Sequence, residues 1–332
     1  MATYKKIKGR KVQTFSSDPP APTEGQVWFN SSPPASFKVG SVSPLGAWSA
    51  TGAMGTARYV GQTAGTQAAA ISMGGGTSPG ASTAISEKYN GATWSATNNL
   101  VGSRTWNFVG VGTSTSALAA GGASHPPTVY LTTTETWNDT CWSTSPATIS
   151  PGRSGTAGAG TKTSALSWMG YDGSNLNVVQ SWNDTSWATS PATLAVTARE
   201  GTGAGTKTAA LSIGGKQSPG SILTNSYLWN DTSWSATGSL GTAVHETCAG
   251  GTSSLALVMG GHPLTATCQR FTTSTWAADT SLPGAIGGGM GCGDVTTAGG
   301  CLISGGRSPA PATLTTAFQW NAVVAGETIT QS

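Results

Sequence analysis

The stretch from residue 155 to residue 189, GTAGAGTKTSALSWMGYDGSNLNVVQSWNDTSWAT, decides the fold. Its apolar and small residues form short runs separated by turn residues, which is typical of an antiparallel sheet. Asp184-Thr185 marks one turn, because Asn and Asp tolerate left-handed backbone conformations. The stretch therefore predicts four short strands, at 155–160, 164–170, 178–183 and 186–189.

The same arrangement recurs along most of the chain, with a tryptophan as its clearest marker. That tryptophan appears at Trp48, Trp94, Trp142, Trp187, Trp234 and Trp276, at spacings of 46, 48, 45, 47 and 42 residues. A glycine doublet ends the apolar strand at Gly74-Gly75, Gly121-Gly122, Gly214-Gly215, Gly260-Gly261 and Gly305-Gly306. In the stretch quoted above, we expect Tyr171 to take the place of the second glycine. Repeats of this length predict an all-β propeller of six four-stranded blades.

The two ends of the repeat array predict how the ring closes. The last unit has a third strand around Trp320 but no tryptophan five residues later. Trp48 lies in a segment with the sequence of a fourth strand and no preceding three, and WSATG at 48–52 recurs at 234–238. We therefore expect an N-terminal strand to complete the last blade, which leaves no frayed edge.

The composition agrees with this fold class and excludes others. Only 9% of the residues are charged, which leaves little material for solvated helix faces. The apolar strand ending in Gly-Gly, followed by two spaced aromatic residues, resembles the kelch repeat family over residues 41–332. The expected domains are an extended N-terminal arm at 1–40 and a kelch-like propeller at 41–332.

The N-terminal forty residues do not match the repeat. They hold six basic and two acidic residues, a net charge of +4, whereas the rest of the chain has a net charge of −1. A Pro-rich segment precedes a short aromatic strand. The pattern Asp18-Pro19, Pro22, Gly25-Gln26, Trp28 and Asn30 resembles the N-terminal segment of structural proteins of tailed phages, particularly marine ones. The resemblance implies a virion protein of the tail, with several copies per particle. The residues expected to anchor it to other virion proteins are Lys5, Lys6, Lys8, Arg10, Lys11 and Trp28.

The sequence offers little for catalysis. Asp139, Asp184 and Asp231 occupy the same hairpin turn in successive units, where a turn residue is the ordinary interpretation and calcium binding or acid–base work the alternative. The five cysteines form no CxxC pair, and the three histidines lack ligand spacing. We therefore expect no enzyme, no metal and no cofactor. Outside the N-terminus there is no basic face for nucleic acid, and no apolar run is long enough to span a membrane.

One constellation suggests a binding site. A cationic residue precedes the inner strand in five units, and equivalent positions of a propeller form a ring. The ordinary interpretation is that these side chains pair with carbonyl groups or a neighbouring blade. The alternative is a ring at the channel mouth that attracts an anion or a partner, formed by Arg58, Arg104, Arg153, Arg199 and His245. Ser-Pro or His-Pro loops are expected on the same face, at 78–79, 125–126, 218–219, 262–263 and 308–309.

The sequence thus predicts a non-enzymatic virion structural protein of a phage tail or fibre. Its arm would attach it to the particle, and its propeller would serve adhesion or host recognition, with a host surface glycan as one candidate ligand, or would stabilise the particle. A capsid decoration protein and a free-standing glycan-binding propeller lectin are the alternatives.

Overall fold

The computed structural model describes residues 12–19, 26–42, 46–77, 80–295, 300–309, 312–322 and 324–328. Within these residues the structure is all-β. No helix in this part of the chain is long and apolar enough to cross a membrane. The chain divides into two compact units, of which one comprises Met1–Gly46 with Ala322–Ser332 and the other Ala47–Asn321.

The second unit is a propeller whose blades we number 1 to 6 and whose strands we number in chain order. Each blade is a four-stranded sheet. Blades 1 to 3 contain β5 (Gln62–Gly65), β6 (Ala70–Met73), β7 (Ser86–Tyr89), β8 (Trp94–Ala96); β9 (Val109–Thr113), β10 (Ser116–Ala120), β13 (Thr134–Trp137), β14 (Trp142–Ser145); and β15 (Ala157–Gly160), β16 (Ala165–Tyr171), β17 (Asn175–Trp182), β18 (Trp187–Thr189). A small hairpin of β11 (Ala123–Ser124) and β12 (Val129–Tyr130) is inserted in blade 2.

Blades 4 to 6 repeat the pattern. They contain β19 (Thr202–Gly205), β20 (Ala210–Ile213), β21 (Ser226–Trp229), β22 (Trp234–Ala236); β23 (Cys248–Gly251), β24 (Leu255–Met259), β25 (Cys268–Thr272), β26 (Thr275–Asp279); and β27 (Met290–Gly293), β28 (Gly300–Ser304), β29 (Ala317–Asn321), β4 (Ala47–Thr51). The first strand of each blade packs against the first strand of the next, and β27 packs against β5. The six sheets therefore form a closed ring.

The predicted closure of the ring is confirmed. Strand β4 pairs antiparallel with β29, and Trp48 lies directly opposite Trp320. Trp320 is fully buried, and the Trp48 indole Nε1 donates a hydrogen bond to the Thr280 carbonyl at 2.8 Å. Chain positions about 270 residues apart are thus joined in one sheet, which protects an edge that would otherwise be open.

Small residues on the inner strands let neighbouring blades approach one another. These strands surround a channel with a volume of about 130 Å³. At Gly203, an added Cβ atom would lie 2.4 Å from Cζ2 of Trp168 in the preceding blade, closer than real Cβ contacts allow. Glycine is needed here because the large indole of one blade fills the space above the backbone of the next.

The glycine doublet has a bonding role between blades. The N–H of its second residue donates to a carbonyl of the following blade, as Gly122 does to Arg153 at 2.8 Å. In blade 3, Met169 takes the first position with a φ of 53° and Gly170 takes the second with a φ of 135°. The expectation that Tyr171 replaces the second glycine is therefore wrong by one residue. A register shift between Trp168 and Gly170 accounts for the difference.

The Asn-Asp hairpins are turns, as the sequence predicted. Asn183 Oδ1 accepts the backbone N–H groups of Thr185 and Ser186 at 3.1 and 2.8 Å, and Asp184 has a φ of 76°. Asp139 and Asp231 adopt the same backbone conformation. Next to the turn, Trp182 is buried and its Nε1 donates to the Lys162 carbonyl at 2.8 Å. The hairpins are therefore explained by local backbone chemistry.

The first unit contains a sheet of its own. It consists of β1 (Gln13–Phe15), β2 (Val27–Asn30), β3 (Ser36–Val42) and β30 (Val324–Thr328). The structure thus divides the chain differently from the expected 1–40 and 41–332, because the N-terminal part of the first unit ends at Gly46. The segment expected as an extended arm contains strands β1 and β2 and the start of β3. Because β3 pairs with β30 from the other end of the chain, no local pattern could have revealed the pairing.

Candidate functional site

A closed ring of backbone hydrogen bonds surrounds one end of the propeller. Each blade contributes a residue with a φ between 45° and 63° whose N–H bonds to the neighbouring blade. We call these residues the mouth ring: Val60, Asn107, Gly155, Glu200, Glu246 and Gly288. The N–H of each donates to a carbonyl of the neighbouring blade, as Glu246 does to Glu200 and Glu200 to Gly155, both at 2.8 Å. The ring holds side chains from different blades at fixed separations.

A pocket with a volume of about 480 Å³ opens at the mouth ring. It lies on one side of the ring, where blades 2 to 5 contribute aromatic and charged side chains. Those side chains are Trp106, Tyr130, Tyr171, Arg199, Glu200 and Glu246, and Thr128 lies beside them. The rings of Tyr130 and Tyr171 meet edge to face, with centroids 5.8 Å apart. The pocket thus combines an aromatic wall with a cation and two carboxylates.

Arg199 is fixed on three sides. Its guanidinium stacks over the Tyr171 ring at 4.4 Å, Nη1 donates to Asn175 Oδ1 at 3.1 Å, and Nε donates to Glu200 Oε1 at 3.1 Å. Burial alone would raise the pKa of Glu200, but His245, Arg199 and Lys216 outweigh burial and hold that pKa below its ordinary value. Glu200 is therefore ionised at neutral pH.

Blade 5 supplies a second acidic group with two histidines. Nδ1 of His245 lies 2.9 Å from Oε2 of Glu200, and Nε2 of His262 lies 3.5 Å from Oε2 of Glu246. The two imidazole rings pack against each other with centroids 5.6 Å apart. Burial lowers the pKa of His262 below its ordinary value, although Glu246 acts in the opposite direction. Within the described residues, this is where three potential metal-ligating atoms meet, from Glu200, His245 and Glu246.

The expected cationic ring at the channel mouth does not form as a ring of five. Arg58, Arg104 and Arg153 are fully buried. Arg104 Nη1 donates to the Gly121 carbonyl at 2.9 Å, and Arg104 Nη2 forms a short ion pair with Glu135. Arg58 makes the matching ion pair with Glu87 at 3.2 Å. The ordinary interpretation, pairing with carbonyl groups, holds for Arg58 and Arg104, which bond to the carbonyls of Gly74 and Gly121. Arg153 Nη2 instead donates to Ser167 Oγ at 3.1 Å.

The ring of five does not form because the arginines of blades 1 to 3 and the cations of blades 4 and 5 differ by one position along the strand. The carbonyls of Arg58, Arg104 and Arg153 each accept the N–H of a doublet residue, and in blades 4 and 5 the residues that do so are Ala198 and Val244. Arg199 and His245 are therefore one residue further along their blades. Because successive side chains of an extended strand point in opposite directions, the arginines of blades 1 to 3 enter the interior, whereas Arg199 and His245 face the mouth.

The sequence interpretation missed most of the pocket. Glu200 and Glu246 follow Arg199 and His245 directly and are themselves 46 residues apart, a signal that was present in the repeat. Trp106, Tyr130 and Tyr171 have no equivalent in the other blades, so the repeat could not identify them.

The remaining predicted residues are placed as follows. Of the Pro-containing loops, the one at 125–126 precedes Thr128 at the pocket, and His262 contacts His245. The loop at 78–79 and the basic residues Lys5, Lys6, Lys8, Arg10 and Lys11 lie outside the described residues. Trp28 is fully buried, and its Nε1 donates to Asp18 Oδ1 at 3.0 Å.

Comparisons with known proteins support the fold. No family model and no curated protein matches the chain. Among solved structures, the chain is similar to one titled "Structure of YjhT", with 12% sequence identity and a TM-score of 0.68. The match covers 83% of this chain and 99% of that chain. At this identity the similarity establishes the propeller-type all-β fold alone.

Proposed function

We propose that this chain is a non-enzymatic structural protein of a tailed-phage particle, placed in the tail or fibre, and that its propeller recognises a carbohydrate in the mouth pocket. The observation that carries the recognition part is the pocket itself, with Tyr171 stacked on Arg199 and two carboxylates alongside. The virion part is supported by the resemblance of the N-terminal segment to phage structural proteins.

Carbohydrate chemistry matches the composition of the pocket. A sugar ring offers apolar C–H faces that pack on aromatic side chains, and hydroxyl groups that donate to carboxylates and accept from guanidinium groups. Tyr130, Tyr171 and Trp106 provide the aromatic surface, while Arg199 and Glu200 provide paired polar groups. The volume of about 480 Å³ is within the usual range for a small-ligand site of roughly 300–1,000 Å³.

The site is also organised before a ligand arrives. Arg199 already has three partners, and Glu200 and Glu246 are held by the mouth ring. Little side-chain freedom is therefore lost on binding, which favours affinity.

A glycan array tests the recognition part. We expect the full-length chain to bind a subset of glycans, and Tyr171→Ala to weaken that binding at least about tenfold, because an aromatic contact contributes on the order of 1 kcal/mol or more and the stacked Arg199 loses its position. Phe37→Ala is the matched control, since Phe37 is a half-exposed aromatic residue of the first unit, and it should leave binding unchanged. Equal binding by wild-type chain and Tyr171→Ala would contradict the proposal.

The phage-like motif has a structural basis in the first unit. Asp18 Oδ1 accepts hydrogen bonds from Trp28 Nε1 at 3.0 Å and from Asn30 Nδ2 at 2.8 Å. Asp18 thus links two other residues of the motif, Trp28 and Asn30. They stabilise a small folded element, so we assign Trp28 a role in the fold of the attaching unit and not in direct contact with a partner.

A further inference from the structure

Two acidic residues of the mouth ring occupy backbone positions that glutamate rarely adopts. Glu200 and Glu246 have φ values of 61° and 45°, and the equivalent residues of two other blades are Gly155 and Gly288. A left-handed conformation costs a non-glycine residue on the order of 1 kcal/mol or more. Val60 and Asn107 adopt the same conformation in the remaining two blades, so the ring itself imposes it and fixes where the two glutamate side chains begin.

The side chains converge with His245 on one point. One oxygen of each carboxylate and one nitrogen of the imidazole lie within 4.8 Å of one another. Nδ1 of His245 and Oε2 of Glu200 lie 2.9 Å apart as an ion pair, and both atoms are shielded from solvent without a further hydrogen-bond partner. His245 as a whole is 9% exposed. These two atoms thus have only each other as partners, and the carboxylate of Glu246 lies beside them.

We propose that Glu200, His245 and Glu246 bind a divalent transition-metal ion beside the mouth pocket. Imidazole nitrogen with carboxylate oxygen is a donor set that Zn²⁺ and its neighbours in the first transition row accept. Ligand atoms about 2.0–2.2 Å from a zinc ion lie about 3–4 Å from one another. A small rotation of one carboxylate would therefore bring the three ligand atoms, now within 4.8 Å of one another, to coordination distance. Three protein ligands leave a coordination position for a ligand in the pocket, which Glu200 and Glu246 line.

The surrounding contacts are those that orient metal ligands. The second oxygen of Glu200 accepts from Arg199 Nε at 3.1 Å, while the Arg199 guanidinium itself lies over Tyr171. On the other side, Nε2 of His262 lies 3.5 Å from Glu246. Such outer contacts hold the ligands in position and tune metal affinity. The site goes beyond the proposed carbohydrate recognition and stands without it.

Calorimetric titration of the metal-stripped, full-length chain with Zn²⁺ tests the proposal. We expect one Zn²⁺ per chain, and at least about tenfold weaker binding in His245→Gln and in Glu246→Gln. His125→Gln and Asp231→Asn are the matched controls, because each removes the same chemical group away from the cluster, and both should bind Zn²⁺ as the wild-type chain does. Zn²⁺ binding that is absent from the wild-type chain, or undiminished in both cluster variants, would overturn the proposal.

A second measurement needs no variant. Co²⁺ added to the metal-stripped chain should give the visible absorption of a low-symmetry nitrogen and oxygen site, and Zn²⁺ should displace it. The spectrum of free aqueous Co²⁺ would overturn the assignment. These experiments measure metal binding and the array measures glycan binding. A negative result for the metal site therefore leaves the carbohydrate proposal untouched, and a negative array result leaves the metal proposal untouched.

Discussion

At the scale of single residues, position in the blade decides whether an arginine is buried inside the blade or lines the mouth pocket. Arg104 and Arg199 are both predicted by the repeat to precede an inner strand, yet Arg104 is fully buried and Arg199 faces the pocket. Burial lowers the pKa of Arg104, while Glu135 acts in the opposite direction and keeps the guanidinium charged. The buried pair therefore matters for stability and not for binding.

Arg104→Ala should lower the free energy of unfolding by about 3–5 kcal/mol, because it leaves the Glu135 carboxylate buried without its cation. Lys88→Ala is the control, since Lys88 and Asp139 form an ion pair with side chains 31% and 47% exposed. Pairs of that kind contribute at most about 1 kcal/mol. Urea unfolding at neutral pH measures both. Equal losses in the two variants would contradict the assignment.

The one-residue difference also limits what the sequence could predict. The distance in sequence from each cation to the second glycine of its doublet was available: Arg58 precedes Gly75 by 17 residues, whereas Arg199 precedes Gly215 by 16. That count separates the two classes of cation, but spacing between the cations alone does not. Trp106 and Tyr130 could not be predicted for another reason, because each lies outside the repeated pattern and reaches the pocket only through the ring geometry.

At the scale of elements, strand β4 makes the propeller a closed structure. The pattern around Trp48 predicted this strand and its partner, since the pentapeptide WSATG recurs in blade 4 where a fourth strand is complete. The N-terminal sheet was not predictable in the same way. Its strands β3 and β30 pair across nearly the whole chain and carry no repeat that would indicate each other.

Two truncations that differ by five residues test the role of β4. The chain 47–321 retains all six blades and should melt within a few degrees of the full-length protein. The chain 52–321 lacks β4 and exposes Trp320, which is otherwise fully buried, and should melt at least about 10 °C lower. Thermal unfolding followed by tryptophan fluorescence distinguishes them. Similar melting temperatures for the two truncations would show that β4 does not close the ring.

At the scale of the whole molecule, the chain combines a propeller with a second, smaller unit that has its own sheet. The propeller carries the mouth pocket, and residues 1–46 with 322–332 form the unit that bears the phage-like motif. Each unit has its own sheets, so a defect in one leaves the hydrogen bonds within the other intact. This separation allows the proposed attachment and recognition roles to be tested independently.

Immunogold electron microscopy of phage particles carrying wild-type chain or Trp28→Ala tests the central claim most directly. Loss of the buried indole removes its hydrogen bond to Asp18 and creates a cavity in the first unit. We predict gold label on the tail or fibre for the wild-type chain, and label lost from particles for Trp28→Ala while the variant still binds the glycans selected on the array. Label on the capsid would indicate a capsid decoration protein instead of a tail or fibre protein. Wild-type chain found only free of particles would contradict the account.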